Sequence, residues 1–184
     1  DARGFLFLSA LYDRVGRSAE ALDAAQKALA LSPRKQQIFY VIADVYLRRN
    51  DGAKAQEILQ EAYDLDRENV GAVKNLATVA ILNHEQQYAE ELLYRSFGTI
   101  AVSDPQLVNA YGQVGDFERV RDIWLKFIQE QPENAQYYIN LAATYARLGD
   151  RSRAVEALES AIRLNPQFKT QGEQFIRELE AGAR

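Results

Sequence analysis

The chain is predicted to be all-α, a right-handed α-solenoid of five stacked helix pairs with a C-terminal capping helix. Three observations predict it. Tyr12, Tyr46, Tyr111 and Tyr145 sit in matching contexts at separations of 34, 65 and 34 residues, and Ala80 splits the 65 into 34 and 31. A second ladder of small residues follows nine positions behind: Ala21, Ala55, Ala89, Val120 and Ala154. Pro33, Pro132 and Pro166, separated by 99 and 34, repeat the same arithmetic. A period near 34 residues marks a stacked helix–turn–helix array, in which each pair buries an apolar face that it cannot bury alone.

Each unit reads as two amphipathic helices with apolar residues at i, i+3, i+4 and i+7. First helices are expected at about 3–15, 36–49, 70–82, 105–114 and 135–148, and second helices at about 18–31, 52–65, 86–97, 117–130 and 151–164. Gly16, Asn50-Asp51-Gly52, Gly115-Asp116 and Gly149-Asp150 are breakers at the tight turns. The third unit departs, with Ala80 for the tyrosine, His84 for the turn glycine and no closing proline. After it, Gly98 is read as a helix stop and Ser103 or Asp104 as an N-cap, with Pro105 in the first turn. The fourth unit's first helix thereby loses about one turn. Val120, Trp124 and Phe127 replace small residues there and are expected to fill the vacated volume, with a local kink or widened groove. Phe168, Gly172, Phe175, Ile176 and Leu179 make one apolar stripe, the pattern of a cap over the last open face. The whole is read as one domain, 1–184, with repeats at 2–33, 36–67, 70–100, 101–132 and 135–166 and a cap at 167–182.

Residues 138–166 place Tyr138, Leu141, Ala142, Tyr145, Gly149, Ala154, Ala161 and Pro166 at the spacings of a tetratricopeptide repeat, which this unit resembles. The first unit matches through Phe5, Leu8, Tyr12, Gly16, Ala21, Ala28 and Pro33, and the second through Phe39, Ile42, Ala43, Tyr46, Ala55 and Ala62. More weakly, Phe97 to Asp122, Asn134-Ala135-Gln136-Tyr137 and Gly172-Glu173-Gln174-Phe175 resemble the C-terminal repeat regions of bacterial O-antigen ligase or polymerase-like membrane proteins. That resemblance implies an accessory domain beside a glycan-assembly enzyme, outside the cytoplasmic membrane.

Composition narrows the classes of function. With 26 acidic and 22 basic side chains the net charge is −4, without the basic excess that drives phosphate binding, so nucleic acid is not an expected partner. An RNA-processing helical repeat, hinted at by Asp122 to Phe127, meets the same objection. No cysteine is present, which removes disulfides, thiolate metal sites and thiol nucleophiles. No apolar run approaches the roughly 18 residues of a membrane span. The opening Asp1-Ala2-Arg3-Gly4, without methionine and without an N-terminal cap, reads as a segment cut from a longer polypeptide, whose upstream region is itself a candidate partner.

Catalysis is not expected. His84-Glu85-Gln86-Gln87-Tyr88 opens like a zinc-protease helix, but Tyr88 occupies the second ligand position, so His84 is read as a turn residue. Gly112-Gln113-Val114-Gly115 lacks the lysine of a phosphate loop, and the abundant carboxylates lie on alternating charged faces. No cofactor and no metal is expected. The expected activity is binding of a peptide segment or partner protein in the groove lined by the first helices, through Tyr40, Asp44, Lys74, Asn75, Gln106, Asn109, Gln136 and Asn140. Carboxamides both donate to and accept from a peptide backbone, and Asn75, Gln106 and Asn140 resemble part of the asparagine ladder of O-linked N-acetylglucosamine transferase. The two-carboxylate clamp of chaperone-binding repeats is not matched, since Lys74 is followed by Thr78, Gln106, Gln136 and Asn140. Arg14, Arg48 and Arg147 close first helices, where the helix dipole favours a cation.

Overall fold

A computed structural model describes residues 1–182. Among them eleven α-helices run α1 (Ala2–Arg14), α2 (Ser18–Leu31), α3 (Gln36–Arg48), α4 (Gly52–Leu65), α5 (Val70–Leu82), α6 (Gln86–Phe97), α7 (Pro105–Gln113), α8 (Phe117–Glu130), α9 (Ala135–Arg147), α10 (Arg151–Leu164) and α11 (Lys169–Ala181). A single 3-10 turn, Pro166–Phe168, precedes α11. All five second helices have the expected bounds. Four first helices stop one residue earlier than expected, because the next residue ends the helix with tightened bonds, as Val15 does on Leu11 and Tyr12. The helices form two compact units, Asp1–Ile100 with α1 to α6 and Ala101–Arg184 with α7 to α11.

One local device makes the turn inside each helix pair. Gly16, Asn50, His84, Gly115 and Gly149 all adopt positive φ, between 57° and 82°. The following N–H then reaches back to the helix: Arg17 to Tyr12, Asp51 to Tyr46, Glu85 to Ala80, Asp116 to Tyr111 and Asp150 to Tyr145, at 2.8–2.9 Å. This is the Schellman closure, in which a left-handed residue lets two late N–H groups satisfy orphan carbonyls. Asp51, Asp116 and Asp150 next cap the second helices by accepting from Lys54, Arg119 and Arg153 N–H. In these three pairs turn and cap are written in two consecutive residues, whereas Arg17 and Glu85 make no side-chain cap.

Gly52 has a different task from the other turn glycines. Asn50 takes the left-handed conformation and Gly52 opens α4, where a Cβ would collide with Asn83 Oδ1. Asn83 donates instead to the Gly52 carbonyl at 3.0 Å and to Gln56 Oε1 at 2.6 Å. A second amide stitch joins Gln36 to the Ala62 carbonyl and to Asn69. Neither stitch follows from the apolar periodicity.

The small-residue ladder is fully interior: Ala21, Ala55, Ala89 and Ala154 have no exposure. Alanine there lets paired helices approach while Ile38, Leu59, Leu76 and Leu141 fill the space alongside. Gly98 ends α6 in the left-handed conformation, and Asp104, not Ser103, caps α7 by accepting from Gln106 and Leu107 N–H. The rings of Trp124 and Phe127 contact Tyr137 of α9 at 5.9 and 5.0 Å, so their bulk is spent at the α8–α9 junction. Phe168 of the 3-10 turn and Ile176 and Leu179 of α11 pack on Ala142, Ala157 and Leu158, and Gly172 is buried where a Cβ would crowd Ile162. Phe175 leaves the expected stripe and stays 37% exposed.

Candidate functional site

In the first unit the candidate groove residues lie on α3 and α5. Tyr40 is half-buried and its hydroxyl lies 3.5 Å from where a Cβ of Gly71 would stand, so it bridges α3 to the start of α5. Burial raises its phenol pKa, and the Asp66 charge adds to the shift. Asp44 is open to solvent at its edge yet crowded by protein, and this loss of hydration raises its carboxyl above the ordinary range. Asp13 pushes the same way and Arg48 opposes. Arg48 spends its hydrogen bonding elsewhere: its Nε meets Asp13 at 3.0 Å, tying α1 to α3. Lys74 lies 5.9 Å from the Phe97 ring centroid. Asn75 is half-buried, and Thr78, one turn further along α5, holds a buried hydroxyl.

In the second unit the candidates lie on α7 and α9. Gln106 and Asn109 are exposed. Gln136 Nε2 donates to Asn140 Oδ1 at 3.0 Å, one helical turn apart. This bond consumes one donor and one acceptor and leaves Asn140 Nδ2 and Gln136 Oε1 open, a complementary pair for a passing peptide group. Arg147 lies with its guanidinium 5.7 Å from the Phe117 ring centroid. The carboxamides therefore divide by unit, with Asn75 in the first and Gln106, Asn109, Gln136 and Asn140 in the second.

Beside these amides the second unit holds an apolar groove of about 410 Å³. Ile139, Ala143 and Ala146 of α9 form one side and Phe175, Glu178 and Leu179 of α11 the other. Ile139 and Ala143 are legible from helical spacing as groove residues. The α11 wall was missed, because an apolar stripe on a terminal helix reads as packing and not as lining. Phe175 at the stripe's edge is the only signal that could have marked it.

His84 is an exposed turn residue with φ of 63°. Among the described residues no cluster of three His, Cys, Asp or Glu side chains is placed to hold a metal, and no helix is long and apolar enough to cross a membrane.

Family models of the tetratricopeptide repeat match residues 9–94 and 135–168. The chain is 26% identical over 164 residues to human protein O-mannosyl-transferase TMTC3, covering 84% of this chain and 18% of that protein. It is 22% identical over 166 residues to Hsp70-Hsp90 organizing protein 3 of Arabidopsis thaliana, covering 87% of this chain and 30% of that protein. The chain thus spans less than a third of the length of these two relatives. Its fold is similar to a crystal structure of MamA protein, with a TM-score of 0.64, 19% identity, and coverage of 92% of this chain and 94% of that one. These comparisons support the repeat reading and not the resemblance to O-antigen ligase-like proteins. Five Schellman-closed helix pairs, a buried alanine ladder and matches in both compact units agree: the chain belongs to the tetratricopeptide repeat family.

Proposed function

We propose that this chain is a non-catalytic interaction module that binds a peptide segment, or a segment of a partner protein, along the faces lined by its first helices. The Gln136–Asn140 pair carries the reading: one donor and one acceptor stand open on α9, beside an apolar groove. A peptide backbone supplies the matching carbonyl and N–H, so the amides hold a strand without specifying its side chains. Within the second unit Gln106 and Asn109 on α7 add contact surface, and the first unit offers Tyr40, Asp44, Lys74 and Asn75 on the same helix type.

The test begins with peptides selected from a display library on the purified chain. Asn75, Gln106 and Asn140 are then replaced together by alanine. Each hydrogen bond contributes roughly 0.5–1.5 kcal/mol, so fluorescence anisotropy should show affinity falling about ten- to a thousand-fold. The melting temperature should hold, because Gln106 is exposed and Asn75 and Asn140 are only half-buried. If the triple variant binds as wild type while Tyr40→Ala abolishes binding, the carboxamides are not the contact and the first-unit face is.

A further inference from the structure

We infer that the α9–α11 groove is a receptor for an extended peptide in which one bulky apolar residue is flanked by a lysine or arginine. This rests on the peptide-binding reading and names the ligand chemistry of one part of that surface. Three features of the groove carry it.

The first is depth. The positions equivalent to Ala143 in the three preceding first helices are Asp44, Thr78 and Asn109, all polar, while α1 carries Ala10 there. The α9 face is apolar, Ile139 followed by the small Ala142, Ala143 and Ala146, and with Phe175 and Leu179 opposite it leaves about 410 Å³. That volume takes a leucine- or phenylalanine-sized side chain with room to spare. The second is unspent apolar surface. Phe175 remains 37% exposed although its neighbours Ile176 and Leu179 are packed down, so a ligand side chain entering the groove removes that ring from water. The third is charge. Glu178 stands at the groove, one oxygen accepting from Gln174 Nε2 at 2.9 Å. Its other oxygen carries no hydrogen bond or ion pair among the described residues. A carboxylate bordering an apolar wall favours a cationic neighbour to the anchor and repels an acidic one. The open amides of Gln136 and Asn140, one turn along α9, hold the backbone between.

The probes are three labelled decapeptides of glycine and serine, one with a central Leu-Lys pair, one with Leu-Glu and one with Ser-Lys. Each is titrated into the nitrogen-15-labelled chain and followed by amide shifts of α9 and α11. The Leu-Lys peptide should bind tightest. Removing leucine should weaken it about tenfold or more, the effect of losing one buried aliphatic side chain. Phe175→Ala should weaken both leucine peptides by about threefold or more. Glu178→Lys should invert the preference, making Leu-Glu the better ligand by about two- to fivefold, a surface-pair effect. Circular dichroism confirms that both variants keep their helices. An unchanged Lys-over-Glu preference in Glu178→Lys, or equal binding of the leucine-free peptide, overturns the inference. So does concentration-dependent self-association that Phe175→Ala abolishes, since the groove would then hold a second copy. Shifts confined to α1, α3 and α5 sink this groove but leave peptide binding standing. If neither these nor library-selected peptides bind anywhere, both readings fail.

Discussion

Two residues show how strongly a single backbone angle is used. Gly149 has φ of 78° and no atom within 4 Å of where a Cβ would stand, so only conformation opposes a side chain there. Gly149→Ala should lower stability by about 1 kcal/mol in urea unfolding, and His84→Gly should raise it by a similar amount, since His84 already bears the left-handed strain. Equal stabilities would mean the turn is indifferent to its occupant. Asp44 offers a test of electrostatics at the same scale. Its folded pKa is raised, chiefly by burial, so the charged form is disfavoured relative to the unfolded chain. The resulting destabilisation is fully present above the folded pKa and disappears as pH falls below the ordinary value of about 4. Carboxyl titration by NMR should find Asp44 above the ordinary aspartate range. Asp13→Asn should bring it down and Arg48→Gln should take it further up. A value at or below the ordinary range removes the crowding account.

At the scale of elements, α11 is the clearest case of packing that also shapes a site. Phe168, Ile176 and Leu179 cover Ala142, Ala157 and Leu158. Truncation after Pro166 should therefore speed hydrogen exchange across 135–164 well beyond any change in 36–65, because loss in a near-neighbour array starts at the bared end. Uniform loss of protection would contradict this. Gly172→Leu tests the seat of the same helix. The added side chain meets Ile162 and should cost about 1–3 kcal/mol, the usual penalty of overpacking. A neutral result would show that α11 shifts freely.

For the whole molecule, stability is distributed through local interfaces. Leu76 on α5 is fully buried among Ala43, Leu59, Tyr63 and Leu92, side chains of α3, α4 and α6. Leu76→Ala should cost about 2–5 kcal/mol. Exchange rates should show that loss concentrated in Asp1–Ile100, the compact unit to which Leu76 belongs. Equal deprotection of both units would mean that they unfold as one.

The sequence by itself determined the helix count, the bounds of every second helix, the turn positions and the family. Each is a local or periodic property: a breaker, a cap, a left-handed residue or a ladder at a fixed spacing leaves its trace in residue type. Ile139 and Ala143 were legible as groove residues for the same reason, since helical spacing fixes which face they share. Other features depended on side chains meeting across helices. The Gln36–Asn69 and Asn83–Gln56 stitches, the turn of Trp124 and Phe127 toward Tyr137, and the reach of Arg48 to Asp13 leave no periodic mark. The α11 wall is the sharpest case. Phe175 and Leu179 share one apolar stripe in the sequence, yet packing on Ala142, Ala157 and Leu158 buries Leu179 in part and leaves Phe175 at the groove's edge. Only the tertiary structure decided that, because the angle at which a helix settles on its neighbours is set by the volumes on both sides, here an α9 face of alanines facing an aromatic ring.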